Sequence, residues 1–197
     1  MKFLTLVRHG ETDFNRQGRL QGRTNTPLNC DGQQQAQRVA EVLKSQTFDG
    51  LWSSPLDRAL NTAITINEHH QLPIQTMEAL IERSFGTFEG LPVAQLRAHE
   101  PDDMESLQDF VIPGGESIAQ LQQRARELAD RIRAEANEHL LIVGHAGLFR
   151  PVIGALLNWP MDRWFHLAQH NTCLNSFRFD EDGQVVAYQL NDHQHCL

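Results

Sequence analysis

A short apolar run near the start of the chain, residues 3–7, ends abruptly in Arg8, His9 and Gly10. An apolar run bounded by glycine is typical of a buried strand in an open sheet. In such sheets, ligands bind just beyond the carboxyl ends of the strands. We therefore expect Arg8 and His9 at the edge of a binding site, where Gly10 lets the backbone approach a ligand closely.

Strand-like and helix-like stretches alternate along the rest of the chain. Further strand candidates are residues 51–52, 73–76, 140–143, 172–179 and 184–190, and apolar residues recur at helical spacing in 34–44, 56–64, 117–136 and 148–157. This alternation predicts an α/β fold, a three-layer α/β/α sandwich with a mainly parallel, mixed central sheet. The chain contains no repeat and no linker, so we expect residues 1–197 to form a single domain.

The segments between these stretches carry their own predictions. Residues 14–31 and 79–90 have loop composition, and long loops in small domains are often functional. Ser54 is predicted to cap a helix that has Pro55 in its first turn. The acidic segment 91–115 begins with a short helical pattern at 93–99 and continues as either a lid or a partly helical insertion.

Composition excludes several classes of protein. The net charge of −8 argues against general nucleic-acid binding. Three widely spaced cysteines fit neither a disulfide framework nor a zinc motif. The first apolar run is too short for a signal peptide, and no stretch is long enough for a membrane span. We expect a cytoplasmic protein without a membrane partner. The sequence leaves open whether the protein forms a homodimer.

A second strand ends like the first, because residues 140–143 are followed by Gly144, His145, Ala146 and Gly147. Arg58 begins a helix directly after another strand. Arginine binds phosphate oxygens through its planar fork, and histidine can act as a neutral nucleophile or a cationic donor. Helix N-termini after Ser54 and His145 add backbone donors. The sequence therefore predicts a phosphate pocket that contains a reactive imidazole.

Five ordered blocks resemble the histidine phosphatase superfamily, also called the phosphoglycerate mutase-like family. The blocks are Arg8-His9-Gly10-Glu11-Thr12 with Asn15, Ser53-Ser54-Pro55-Leu56 with Arg58-Ala59 and Thr62-Ala63, Glu82-Arg83 with Gly86 and Glu89-Gly90, Gly114-Gly115-Glu116-Ser117, and Val143-Gly144-His145. One block alone would be weak, but five in order are specific. They cover most of the chain.

The resemblance implies a role for each site residue. His9 would accept the phosphoryl group, while Arg8, Arg58 and His145 would bind its oxygens, and Glu82 would act as acid and base. The substrate pocket would be lined by Arg8, Asn15, Gln21, Gly22, Arg58, Arg83, His145 and Ala146. No metal and no cofactor are implied, because side chains supply the positive charge.

The resemblance leaves three activities open. We favour a phosphomonoesterase for a small phosphorylated metabolite, of broad-specificity, α-ribazole-phosphate or sugar-phosphate type. A cofactor-dependent phosphoglycerate mutase is the first alternative, but Arg97 is the only arginine or lysine in residues 91–115 against five acids. This charge should disfavour an anionic phosphoryl acceptor. The second alternative is a weakly catalytic protein that binds a phosphate ligand.

Overall fold

A six-stranded sheet lies at the centre of the computed structural model, which describes residues 2–196. The strands are β1 Lys2–Arg8, β2 Gly50–Ser53, β3 Ile74–Thr76, β4 His139–Gly144, β5 Leu174–Phe179 and β6 Val185–Asp192. Their spatial order is β3-β2-β4-β1-β5-β6. The first four strands are parallel to one another, β5 pairs antiparallel with β1, and β6 pairs antiparallel with β5. The predicted mainly parallel, mixed sheet is confirmed.

Helices cover both faces of this sheet. They are α1 Asp13–Arg16, α2 Cys30–Leu43, α3 Asp57–Asn67, α4 Val93–Arg97, α5 Met104–Asp109, α6 Ile118–Ala134, α7 Ala146–Leu157 and α8 Met161–Phe165. One core cluster joins the sheet to α2 and α3, and another joins it to α6 and α7. The three-layer arrangement is therefore confirmed. Among the described residues, no helix is both long and apolar enough to cross a membrane.

The central strands are apolar because both of their faces are buried. Leu4 and Leu6 of β1 point into the core under α6 and α7, whereas Val7 points into the core under α2 and α3. Side chains alternate between faces along a strand, so a strand covered on both sides is apolar at nearly every position. This burial fixes the register that brings the ends of β1 and β4 together.

The structure corrects three local predictions. The segment 14–31 is not all loop, since α1 begins at Asp13 behind a Thr12 capping box and α2 begins at Cys30. The helix after β2 begins at Asp57, and Leu56 is its N-cap without a side-chain bond. Ser54 therefore does not cap α3. Instead, the Asn25 side chain accepts a hydrogen bond from the Asp57 N–H at 2.9 Å.

The acidic segment 91–115 is a partly helical insertion with its own apolar contacts. Leu96 and Ile112 are buried with Leu20, and Leu107 is buried with Ile118 and Trp164. These contacts attach α4 and α5 to the loops beside the site and to α6 and α8. Of the two alternatives for this segment, the structure favours the insertion.

Two glycines allow the loop after β1 to lie directly on the start of α2. A Cβ atom at Gly10 would overlap the Gly32 carbonyl, and a Cβ atom at Gly32 would overlap the backbone of Glu11. Neither position has space for a side chain, and the neighbouring atoms are backbone. This contact sets the path of the chain immediately after His9.

The close contact at Gly32 predicts that alanine at this position destabilises the protein, although alanine in place of glycine usually stabilises a helix. Replacing glycine by alanine inside a helix normally stabilises a protein by about 0.5–1 kcal/mol. We expect Gly32→Ala to lower the free energy of unfolding by about 1–3 kcal/mol, because the loop must move. Urea unfolding monitored by circular dichroism measures this free energy of unfolding. Gln37→Ala, at an exposed position of α2, is the matched control, and a stabilised Gly32→Ala would contradict the contact.

Candidate active site

The ends of β1 and β4 bring two histidines together. Arg8 pairs with Gly144 across the parallel strands, and the His9 N–H donates to the Gly144 carbonyl at 2.9 Å. His9 and His145 follow at the same edge, with their ring centroids 5.2 Å apart. Both side chains are buried. The predicted meeting of the two strand ends is what the structure shows.

His9 presents one ring nitrogen with a free lone pair. Its Nδ1 lies 2.7 Å from the Gly10 carbonyl oxygen, which can only accept, so Nδ1 carries the proton and Nε2 does not. Burial, and then the charges of Arg8 and Arg58, lower the pKa of His9 well below 6.5. The imidazole is therefore neutral at neutral pH, which is the form that a nucleophile requires.

His145 is held in place from the end of β2. Its Nε2 lies 2.8 Å from the Ser54 hydroxyl, which also accepts the Leu56 N–H at 3.3 Å. A Ser54 hydroxyl that donates to Nε2 leaves Nδ1 of His145 with the proton. Nδ1 is buried and has no partner among residues 2–196. Burial, followed by the charge of Arg58, lowers the pKa of His145 well below 6.5.

Two arginines complete a positively charged cluster. Arg8 Nη1 donates to the Gln169 carbonyl at 2.6 Å, and Arg58 donates to the carbonyls of Thr24 at 2.9 Å and Gly22 at 2.7 Å. Burial lowers the pKa of Arg58 to about 10 and also lowers the pKa of Arg8. Arginine stays protonated in proteins, so both guanidinium groups carry a charge at neutral pH.

Three buried donors in this cluster have no partner within the described part of the chain. They are Nε of Arg8, Nε of Arg58 and Nδ1 of His145. A buried donor left unpaired destabilises a protein by about 1–3 kcal/mol, and by more when it is charged. A tetrahedral oxyanion offers several acceptors and a compensating charge in one small volume. The arrangement therefore suits a phosphoryl group.

Glu82 lies beside this cluster and is held by three backbone N–H groups. Its carboxylate accepts from Arg83 at 2.8 Å, Gly147 at 3.2 Å and Leu148 at 3.1 Å. A Cβ atom at Gly147 would lie 2.5 Å from Glu82 Oε1, so any larger residue at this position of α7 would displace the carboxylate. The N-terminus of α7 thus binds Glu82 through Gly147 and Leu148. The backbone N–H of Ala146, the first residue of α7, donates no hydrogen bond to any group in residues 2–196.

The other predicted pocket residues lie at the rim. Asn15 Oδ1 accepts from Thr12 and from Asn171, and Gln21 Oε1 accepts from the Thr12 hydroxyl. Their NH₂ groups donate to no group within residues 2–196. Gly22 contacts the cluster through the carbonyl that holds Arg58. Arg83 is buried, and its Nε donates to the Glu116 carbonyl at 3.1 Å. Asn15 is linked to the cluster through Asn171, which also donates to the His9 carbonyl, and Gln21 precedes Gly22 in the loop that holds Arg58. The binding of a substrate by these residues stays a prediction.

Several residues that hold the catalytic side chains in place were not assigned a role by the sequence analysis. The Thr62 hydroxyl accepts the Gly10 N–H at 3.1 Å and donates to the Arg58 carbonyl at 2.7 Å. Asn171 donates to the His9 carbonyl at 3.0 Å. Thr62 and Ser54 belong to the motif blocks, which could have indicated them. Gln169 and Asn171 belong to none of the motif blocks, and only the fold places them beside the end of β1.

Arg124 of α6 is the other residue without a sequence signal. Its guanidinium forms a two-pronged ion pair with Glu116, at 2.8 and 2.7 Å. The remaining nitrogen donates to the carbonyls of Ala79 at 3.1 Å and Ile81 at 2.7 Å. Arg124 therefore fixes the backbone immediately before Glu82.

Metal-binding side chains do not gather anywhere in residues 2–196. No group of three or more His, Cys, Asp and Glu side chains there has the arrangement that could hold an ion. His193, His195 and Cys196 form a turn near the C-terminus, where Cys196 Sγ lies 3.1 Å from the Thr172 hydroxyl.

Comparison with known proteins shows the family to which the chain belongs. The family model of the histidine phosphatase superfamily, branch 1, matches residues 4–192. An uncharacterized phosphatase, PhoE, of Bacillus subtilis is 34% identical over 196 residues, covering 98% of this chain and 97% of that protein. The chain therefore belongs to the histidine phosphatase superfamily.

Solved structures extend the similarity to the whole fold. A phosphoserine phosphatase mutant from Entamoeba histolytica, in complex with phosphoserine, is 31% identical with a TM-score of 0.84, and each chain is covered completely. The α-ribazole phosphatase of Shigella flexneri is 28% identical with a TM-score of 0.84, covering 97% of this chain and 96% of that one. These relatives support hydrolase activity of the phosphatase class, as the sequence predicted.

The buried imidazoles predict an acid-sensitive fold. The unfolded chain binds protons near pH 6.5 that the folded His9 and His145 do not bind, so stability falls as pH drops through 6.5. We expect His145→Gln to flatten the dependence of unfolding free energy on pH by up to about 1.4 kcal/mol per pH unit. Urea titrations between about pH 7.5 and about pH 5.5 measure the slope. The exposed His166→Gln should keep the wild-type slope, and an equal slope in His145→Gln would contradict this account.

Proposed function

We propose that the chain is a phosphomonoesterase that hydrolyses small phosphorylated metabolites through a phosphohistidine intermediate, acting as a single histidine-phosphatase-like domain. One observation carries the proposal. Three buried donors of Arg8, Arg58 and His145 have no partner among residues 2–196, and they belong to side chains that neighbour a neutral His9. Nδ1 of His9 holds the proton, which leaves its Nε2 lone pair for attack. Binding a phosphoryl group there supplies the missing acceptors and places phosphorus next to the nucleophile.

In the first step His9 Nε2 attacks phosphorus, and the bond between phosphorus and the ester oxygen breaks. Arg8, Arg58 and His145 stabilise the charge on the three other oxygens. Glu82 gives its proton to the leaving oxygen, so an alcohol departs. The bound anion favours the charged form of His145, which strengthens its hydrogen bond to the phosphoryl group.

In the second step water replaces the alcohol. Glu82, now a carboxylate, takes a proton from water as the oxygen attacks the phosphohistidine. The nitrogen–phosphorus bond breaks, inorganic phosphate leaves, and His9 is regenerated with its lone pair. Side chains supply all positive charge in this scheme, so neither a metal nor a cofactor takes part.

The relatives support a small ester as substrate. Proteins that match this chain over nearly its whole length include a phosphoserine phosphatase in complex with phosphoserine and an α-ribazole phosphatase. A structure of the Entamoeba protein with 3-phosphoglyceric acid, 30% identical with a TM-score of 0.83, adds a third small ligand. The rim donors Asn15, Gln21 and Ala146 are then available for phosphoryl oxygens or for the alcohol.

His9 provides the direct test of the intermediate. Wild-type protein mixed briefly with a radiolabelled monoester and denatured should carry phosphate that is labile in acid and stable in alkali. We expect His9→Ala to lose this label and about four decades of kcat, because no other group replaces the nucleophile. His166→Gln is the control. Full labelling of His9→Ala would remove His9 from the mechanism.

Glu82 can be tested through the leaving group. A general acid contributes most when the leaving oxygen is strongly basic. We expect Glu82→Gln to lower kcat/KM for an alkyl phosphate by about a hundredfold or more, and to affect nitrophenyl phosphate much less. Glu127→Gln, which changes an exposed carboxylate of α6 in the same way, is the matched control and should keep wild-type rates on both substrates. Equal losses on both substrates in Glu82→Gln would point to a different acid.

A further inference from the structure

The lone pair of His9 Nε2 depends on one backbone carbonyl. His9 Nδ1 donates to the Gly10 carbonyl oxygen at 2.7 Å, and this hydrogen bond keeps the proton on Nδ1. If that oxygen turned away, the proton could move to Nε2 and the nucleophilic lone pair would be lost. Gly10 cannot fix its own carbonyl, because a glycine has no side chain and its backbone is conformationally permissive. The orientation of this peptide must therefore be set by its neighbours.

Gln35 of α2 binds the opposite end of the same peptide. The Glu11 N–H donates to Gln35 Oε1 at 2.9 Å. In a trans peptide, the carbonyl of one residue and the N–H of the next lie in one plane and point in opposite directions. His9 and Gln35 therefore hold the two ends of the peptide that joins Gly10 to Glu11. Gln35 fixes the plane in which the Gly10 oxygen lies.

The close contact between the loop after β1 and α2 brings Gln35 within reach. Gly32 lies directly against the backbone of Glu11. Gln35 follows Gly32 by three residues, so the two positions share one face of α2. A helical side chain leans towards the N-terminus of its helix, which directs the Gln35 amide over Gly32 to this loop. Gln35 is partly buried there.

The preceding peptide has hydrogen bonds of its own. The His9 carbonyl accepts from Asn171 Nδ2 at 3.0 Å, and the Gly10 N–H donates to the Thr62 hydroxyl at 3.1 Å. These bonds fix the peptide between His9 and Gly10, but the next peptide can still rotate at the Gly10 α-carbon. Within residues 2–196, only His9 and Gln35 bind the peptide between Gly10 and Glu11.

We propose that Gln35 is a positioning residue for the nucleophile, because it holds the peptide whose carbonyl keeps the proton of His9 on Nδ1. Its hydrogen bond acts on His9 through this peptide. The inference rests on the proposed function, in which Nε2 attacks phosphorus. It adds to the site a residue of α2 that belongs to none of the motif blocks.

The acceptor oxygen of Gln35 can be removed or kept with little change in side-chain length. We expect Gln35→Met, which lacks a strong acceptor, to slow the formation of phosphohistidine from nitrophenyl phosphate by about tenfold to a hundredfold. Inhibition by inorganic phosphate should change less than about twofold, because the groups that bind phosphoryl oxygens are unaltered. Gln35→Glu keeps an oxygen for the Glu11 N–H and should restore most of the rate. Rapid-mixing kinetics measures the rate of phosphohistidine formation.

The position of the His9 proton gives a readout that a merely structural role would not move. In protein labelled with ¹⁵N at histidine, ring nitrogens with and without a proton give separate NMR signals, and His9→Ala identifies those of His9 by their loss. We expect the wild type to carry the proton on Nδ1, as does Gln35→Glu, and Gln35→Met to show both tautomers. Gln34→Met, which changes an exposed glutamine of α2 in the same way, is the matched control and should keep the wild-type tautomer and rate.

The outcomes separate this inference from the proposed function. An unchanged tautomer or an unchanged rate in Gln35→Met would each overturn the role of Gln35, and so would an equal loss in Gln35→Glu. Gln35→Asn, whose amide is too short to reach Glu11, should shift the tautomer as well, and it decides the matter where Gln35→Met fails to fold. A wild type that hydrolyses no phosphate monoester would contradict the proposed function. The tautomer does not depend on turnover, so it tests Gln35 alone.

Discussion

The structure depends on burying positive charge at the carboxyl ends of three parallel strands. Arg58 is completely buried, and its charge is opposed by backbone carbonyls rather than by a carboxylate in direct contact. An acid paired with it would neutralise the cation and occupy the site. Carbonyl dipoles orient the guanidinium and leave its net charge available to a ligand. The loop 21–24 is thus a part of the site, because it supplies the carbonyls that make an unpaired buried arginine tolerable.

The same principle explains the second half of the site. The N-terminus of α7 offers N–H groups with a partial positive charge, and these bind Glu82. Glu82 therefore does not need an arginine to hold it, which keeps it separate from Arg8 and Arg58. Arg124 does not contact Glu82 itself. It donates to the carbonyls of Ala79 and Ile81 and so fixes the backbone that leads to Glu82. Acid and cations can then face one ligand without pairing with each other.

The sequence predicted the parts of this arrangement that are local or recur as motifs. Buried parallel strands have a strong apolar pattern, so the ends of β1 and β4, with His9 and His145, could be predicted before the fold was known. The prediction that Ser54 caps a helix is wrong, because a serine before proline has the local signature of a cap while its actual partner is distant in sequence. Its contact with His145 joins residues 91 positions apart. Gln169 and Asn171 could not be predicted from the sequence for the same reason. Only the order of the strands places them beside the end of β1.

Charge also explains how one pocket can combine hydrolysis with an acidic surround. The insertion 91–115 is negative, and this alone argues against retaining an anionic product. In the proposed mechanism, the alcohol product loses the attraction of Arg8, Arg58 and His145 once the phosphoryl group is on His9. The five acids of residues 91–115 then oppose the retention of an anionic alcohol, which favours its departure. Water can then take the place of the alcohol beside the proposed phosphohistidine, and the expected outcome is hydrolysis rather than transfer.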